Sequence, residues 1–396
     1  MVAGKLISEN FHRTKKSAAV LKHAIIDQYA TPFASKTGST SRDRRVAFID
    51  GYAGAGRYDS GEEGSAAMLL NKAKQMAGSR RVECYFVEGD RKTAKKLRQV
   101  VTAEGKGVAC TVENGDISRH LPTLLESVRD IPLFVYLDPC GLIIPLNEVA
   151  HIFERPGGAG APATEVLINL TAHLRRLAGK LTSDIPTDKS REASLKRMDG
   201  VFGGDWWRAV WSDKCPGPMK RAPEKAKTAA EEAVVAGYAE RLREFEGVGT
   251  WTIGVRPRAD LKPVYYLVFA TRHSDGLPLF GESASLGLKA WRKHQAGAAA
   301  ENTASGADGS WETSWKAEEK ALDHQWIDTL AERITHELEE GKPFRIMDRA
   351  ETVLGGLAGV VRDLHLRAAI KKVRAAGRTS TDPKGRFLLN LLIRPS

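Results

Sequence analysis

The sequence predicts a doubly wound α/β fold with a helical insertion and a C-terminal winged-helix-like domain. Three observations carry that prediction. Short apolar runs alternate with helical patterns across residues 45–171, as a mostly parallel sheet with crossover helices requires. The first run ends in a glycine-rich stretch, FIDGYAGAGRYDSGEEGS. The last 36 residues gather cations around a helix and a turn, with nine Lys/Arg against two Asp.

The elements follow in order. Apolar positions at Val20, Leu21, Ile25 and Ile26 give a helix over 14–34, and TGSTSRD breaks it. RRVAFID is a buried strand ending at Asp50, and residues 65–76 form a helix. VECYFVEGD is a second strand ending at Glu88, followed by a basic helix. GVACTVENGD is a third, ending near Asn114, with a helix over 117–128. IPLFVYLDPCG is a fourth, ending at Asp138, and TEVLINLT a fifth. Residues 173–245 are charged and helical, an insertion without strands. GTWTIGVRP and PVYYLVFATRH then close the sheet as a pair. GAAAENTASGADGS has linker composition. The expected division is therefore 1–295 for the sheet domain, 296–311 for the linker and 312–396 for the C-terminal domain.

Composition bounds the function. A chain of 396 residues with 42% hydrophobic and 28% charged residues can bury two or three cores. The N-terminus MVAGKLISENFHRTKK lacks a signal-type apolar stretch and no run reaches membrane-spanning length, so a cytoplasmic protein is expected. The four cysteines, at 84, 110, 140 and 215, form no CxxC pair and read as small buried residues. His23, His120, His151 and His173 show no metal spacing, and no metal is assigned. Net charge is +11, of which residues 361–396 hold +7. The basic bias, which suits a nucleic-acid partner, therefore lies mostly in the tail.

Ligands of open α/β sheets bind at the carboxyl ends of the strands. No GxxxxGK[ST] string exists, which excludes a P-loop. Asp50-Gly51-Tyr52-Ala53-Gly54-Ala55-Gly56 has the acid-then-GxG spacing of an S-adenosylmethionine (SAM) site; a tight turn is the alternative. Gly51, Gly54 and Gly56 would cradle the methionine end of SAM. Glu88 would accept the ribose hydroxyls. Asp116, with Ile117 beside it, stands where an acid accepts the adenine amino group. Asp138-Pro139-Cys140-Gly141 closes the fourth strand, where the methyl acceptor would lie. It resembles the [DN]PP[YF] motif of amino-methyltransferases, in which the acid accepts from the target amine and an aromatic stacks on a flipped base. Here Cys140-Gly141 replaces the last proline and the aromatic. These features make the sheet Rossmann-like and of methyltransferase type. A nicotinamide oxidoreductase shares only the sheet and Glu88.

The chain also resembles the three-Cys-motif partner proteins. The resemblance is carried by Lys22-His23, FIDGYAGAGRY, GSAAMLL, CYFVEGD, VYLDPCGL, EVLINL and YYLVFATRHSDGL, in family order from about residue 15 to 290. It implies a SAM-dependent methyltransferase fold and a three-cysteine, radical-SAM-like partner protein. The family has proline where Ala55 and Ala66 stand, phenylalanine where Tyr52 stands, and an aromatic where Cys140 stands.

In the tail, Leu366, Ile370 and Val373 fall on one side of a helix over 363–376, and Arg367, Lys371 and Arg374 on the other. Lys384 and Arg386 sit at the tip of a strand–turn–strand. That pattern fits a helix in a major groove with a wing on phosphates; a solvated basic face is the alternative. Trp206, Trp207 and Trp211 are read as core rather than as stacking platforms. The expectation is a SAM-dependent methyltransferase acting on nucleic acid, with a non-catalytic binding module of the same fold as the alternative.

Overall fold

Residues 17–139, 141, 144–158, 160–171, 173–181, 189–255, 262–263, 265–301 and 309–396 are described by the computed structural model. The strands are β1 (Arg45–Asp50), β2 (Arg81–Glu88), β3 (Ala109–Asn114), β4 (Leu133–Leu137), β5 (Thr164–Thr171), β6 (Gly249–Val255) and β7 (Tyr265–Thr271). They form one sheet in the order β3-β2-β1-β4-β5-β7-β6. The first five run parallel, and β7 lies antiparallel between β5 and β6. The chain reverses its strand order beside β1, so the carboxyl ends of β1 and β4 flank the crevice where such sheets take ligands.

Helices α1 (Ser17–Thr37), α2 (Ser65–Met76), α3 (Arg91–Glu104), α4 (Ile117–Ser127) and α5 (Leu146–Phe153) accompany the parallel strands. The insertion supplies α6 (His173–Leu181), α7 (Lys189–Phe202), α8 (Trp206–Lys214) and α9 (Glu224–Arg243). It is no satellite. One apolar core runs from Ile49, Val135, Val166 and Val268 of the sheet to Trp207, Trp211 and Tyr238 of the insertion. Trp207 and Trp211 are fully buried, as a core reading requires. On the other face, Phe33 of α1 packs at 6.1 Å from Phe48 and 5.8 Å from Phe134, ring centre to ring centre. Burying aromatic rings at this density stabilises by about 1.5–3 kcal/mol each.

Compactness divides the chain into two units, one of residues 1–19 and 30–277, the other of 20–29 and 278–396. The second contains α10 (Gly276–Ala300) from Pro278 onward, then α11 (Ser310–Leu338), β8 (Phe344–Arg345), α12 (Ala350–Val353), α13 (Asp363–Ala375) and β9 (Leu392–Ile393). β8 pairs antiparallel with β9, and Thr379 bridges to Pro395. Leu366, Ile370 and Val373 of α13 are buried. Two boundaries differ from the sequence reading. Helix α11 starts at Ser310, inside the expected linker. Helix α10 runs through Ala300 into the expected linker, because its alanines hold helical geometry despite the flanking glycine. Helix α5 follows Pro145, a residue whose fixed φ suits a helix start. Among the described residues, no helix is long and apolar enough to cross a membrane.

Candidate functional site

Strand alternation decides which side chains meet. Register pairs Phe48 with Cys84 and with Phe134, so Asp50, Glu88, Tyr136 and Asp138 share one face of the sheet. Leu137 pairs with Ile168, which places Asn169 of β5 on that same face, beside Asp138. Three carboxylates thus stand along one edge, at the ends of β1, β2 and β4.

The glycine loop is stitched to both neighbouring strands. The Gly51 amide donates to the Tyr136 carbonyl at 2.9 Å and the Ala53 amide to the Val87 carbonyl at 3.0 Å. The Tyr52 amide donates to Asp50 Oδ1 at 3.1 Å, and the Gly54 amide to Glu88 Oε2 at 3.0 Å. A larger residue at 51 would have to displace buried side chains, because a Cβ would stand 2.8 Å from Leu137 and 3.2 Å from Ile117. Gly56 adopts φ +82°, and a Cβ would press on Leu97 and Val100 at 3.1 Å each. The amides from Gly51 to Gly54 therefore hold the loop's shape. Among the described residues, those of Ala55 and Gly56 make no hydrogen bond. An anionic ligand group would find its donors there rather than at Gly51.

Glu88 accepts from the Asp90 amide at 2.8 Å through its other oxygen. Each carboxylate oxygen carries two acceptor positions, so capacity for ligand hydroxyls remains. Asp116 is exposed and caps α4, accepting from the Ser118 amide at 3.0 Å. Ile117 packs beneath Gly51. The Tyr52 phenol is raised well above its ordinary range, by burial first and then by the negative charges of Asp116 and Glu148. It is a neutral phenol at every physiological pH.

At the end of β4, Asn169 Nδ2 donates to Asp138 Oδ1 at 2.5 Å. Tyr136 is fully buried, and its phenol is raised by burial, then by the charges of Asp138 and Asp50. It therefore stays neutral beside both carboxylates. Pro139 and Gly141 follow Asp138 at this corner; Cys140, singled out in the sequence, lies outside the described residues. Sequence reasoning missed Tyr136 and Asn169. A polar residue inside a run as apolar as VLINL was the available signal.

The cysteines hold a second arrangement that spacing hid. Cys84 and Cys110 are register partners on β2 and β3, which places their side chains on the same face of the sheet. The Cys84 thiol is raised by its neighbour Cys110 and by burial, whereas Cys110 is lowered by Cys84 and by the Lys74 charge.

The five basic residues of the tail expected to meet nucleic acid separate into two groups. Arg367 donates to the carbonyls of Pro383 and Gly385, the latter at 2.7 Å, and so ties α13 to the turn beyond it. Arg374 and Lys384 both pair with Asp382, at 3.4 and 2.8 Å. Lys371 and Arg386 are exposed and, among the described residues, make no ion pair.

No family model matches the chain, and no curated protein matches it. Solved structures similar to it include cofactor-bound Rv0187 from MTB, at 16% identity and TM-score 0.31, covering 69% of this chain and 97% of that one. The O-methyltransferase TomG from Streptomyces achromogenes in complex with SAM matches at 12% identity and TM-score 0.29, covering 67% and 93%. Likeness at this level adds nothing to the strand order, which carries the fold by itself.

Proposed function

We propose that the chain is a SAM-dependent methyltransferase acting on nucleic acid. One observation carries this reading. Asp50, Glu88 and Asp138 end β1, β2 and β4 on one face of the sheet, around a glycine loop fixed to Glu88. A nucleotide-like ligand with an amino-acid tail needs such a set. Glu88 would accept the ribose hydroxyls, Asp116 the adenine amino group, Asp50 the ammonium end, and the Ala55 and Gly56 amides the carboxylate. When bound, SAM supplies an electrophilic methyl group. The protein's own task is then to hold a nucleophilic nitrogen in line with it, with Asp138 accepting an N–H.

The nucleic-acid part of the proposal rests on the tail. Its order of helix, short strand, two helices, bridge and closing strand supports a winged-helix reading, with Lys371 and Arg386 as the cations free for phosphate. The three-cysteine partner enters through the sequence resemblance.

Isothermal titration tests the core of the proposal. SAM binding without NAD binding is expected, and binding of NAD alone would overturn it. A second reading has an observation of its own: Glu88 and Asp138 already accept from Gly54, Asp90 and Asn169. Carboxylates so employed also suit a non-catalytic module that kept the fold, and such a module binds neither ligand.

A further inference from the structure

Asn169 is 3% exposed, and its two amide atoms have different fates. Nδ2 donates to Asp138 Oδ1 at 2.5 Å. A carboxylate oxygen accepts, so the amide must turn its NH2 toward Asp138 and its carbonyl away. That carbonyl, Oδ1, is buried and meets no donor among the described residues. A buried acceptor without a donor is costly, and a ligand N–H reaching Asn169 Oδ1 would remove that cost. Two further polar groups of the proposed site are buried: Asp50, whose Oδ1 accepts from the Tyr52 amide at 3.1 Å, and Tyr136, whose phenol has the Asp138 and Asp50 carboxylates beside it.

Resting on the methyltransferase reading above, we infer that Asn169 Oδ1 and Asp138 form a paired acceptor for a nitrogen that carries two hydrogens, which makes the substrate an exocyclic amine of a base. Asp138 takes one N–H and Asn169 the other. A hydroxyl nucleophile has one hydrogen and a ring carbon none to donate, so either leaves one of these acceptors unmet. Gripping both N–H bonds also turns the nitrogen lone pair toward the methyl group. The C–N bond forms as the methyl–sulfur bond breaks, with that electron pair staying on sulfur. The extra proton on the methylated nitrogen passes to Asp138 or to water. Asn169 is thus a specificity residue of the acceptor side, and Tyr136 a positioning residue behind Asp138.

Sinefungin tests this without knowledge of the substrate, because a carbon bearing an amine replaces the methylsulfonium of SAM. Its amine projects to the place where donor and acceptor meet. The intact chain is titrated with sinefungin and with S-adenosylhomocysteine, which has no group there. Sinefungin should bind about tenfold more tightly or better. Asn169→Leu should shrink that ratio about three- to tenfold, whereas Asn169→Asp, which keeps an acceptor oxygen, should retain it. A ratio that is the same in the parent and Asn169→Leu overturns the inference while leaving cofactor binding, and so the proposed function, in place. Equal loss in the Leu and Asp variants also overturns it. If neither ligand binds the parent, the proposed function itself fails and this inference falls with it.

Discussion

The Gly54 amide donates to Glu88 Oε2 at 3.0 Å, so the side chain read as a ribose acceptor also fixes the loop that faces the ligand. One residue thus serves the fold and the site together. Its Oε1 holds the Asp90 amide, and Asp90 in turn caps α3 by accepting from the Thr93 amide at 2.8 Å. The carboxylate reaches a ligand already oriented, which lowers the ordering cost of binding.

Glu88→Ala should therefore do two things at once. It should weaken SAM binding roughly 10- to 150-fold through the lost hydroxyl contacts, corresponding to about 1.5–3 kcal/mol. It should also lower the melting temperature without ligand, since two backbone donors lose their partner. Glu88→Gln keeps acceptor oxygen and should fall between. Titration and thermal melting on the same samples separate the effects. Unchanged SAM affinity in the alanine variant would remove Glu88 from the site.

The strand ends were legible because a buried parallel strand is a short apolar run, and a glycine cluster after it has few physical uses. Asp50, Glu88 and Asp138 could be read that way. Asn169 could not, because its role depends on which strand lies beside β5. The pairing of Cys84 with Cys110 was hidden for the same reason: 26 positions separate them, and only register brings them together. Arg367 misled differently. Helical spacing puts it on the basic stripe, but nothing local shows that the carbonyls of Pro383 and Gly385 lie above it. The helix at 276–300 had no counterpart in the sequence reading; buried Phe280, Ala284 and Trp291 hold it.

Cysteine chemistry should follow the asymmetry of the β2–β3 pair. Cys110 is half-buried with a lowered thiol, while Cys84 is fully buried with a raised one. Thiolate is the reactive form, so iodoacetamide should label Cys110 well before Cys84. Cys84→Ser replaces the thiol with a hydroxyl and should alter the rate at Cys110 severalfold. Peptide mass mapping over time reads both. Equal labelling of the two would contradict the assigned asymmetry.

His365 gives the second unit a pH dependence with a definite sign. Its Nδ1 accepts from the Arg362 amide at 2.9 Å and its Nε2 faces Asp323 Oδ1 at 2.8 Å, so the neutral Nε2–H tautomer satisfies both. Burial, the largest cause, holds its pKa below the ordinary value of 6.5, although Asp323 opposes the shift. The unfolded chain then binds the proton more readily than the folded one. Stability from this group is complete above pH 6.5 and declines as pH falls below it. His365→Asn should reduce the loss of melting temperature between pH 7.5 and 5.5, while lowering stability at pH 7.5. A variant whose pH profile matches the parent would remove His365 as the cause.

The cations of the tail give the last prediction. Arg374 and Lys384 share Asp382, and Arg367 holds the turn, so none of the three is a free charge. Lys371 and Arg386 are exposed and lack ion pairs among the described residues. Each phosphate contact releases counterions and adds about 0.9 to the slope of log affinity against log salt on duplex DNA. Lys371→Gln with Arg386→Gln should therefore lower that slope by about one to two, with melting temperature unchanged, because surface changes away from pairs stay within about 0.5 kcal/mol. Arg367→Gln should show the reverse, a lower melting temperature from two orphaned carbonyls and little direct effect on the slope. Duplex titrations at several salt concentrations, paired with melting curves, distinguish them. A slope that ignores Lys371 and Arg386 but follows Arg367 would show that the turn itself, rather than the free cations, meets the nucleic acid.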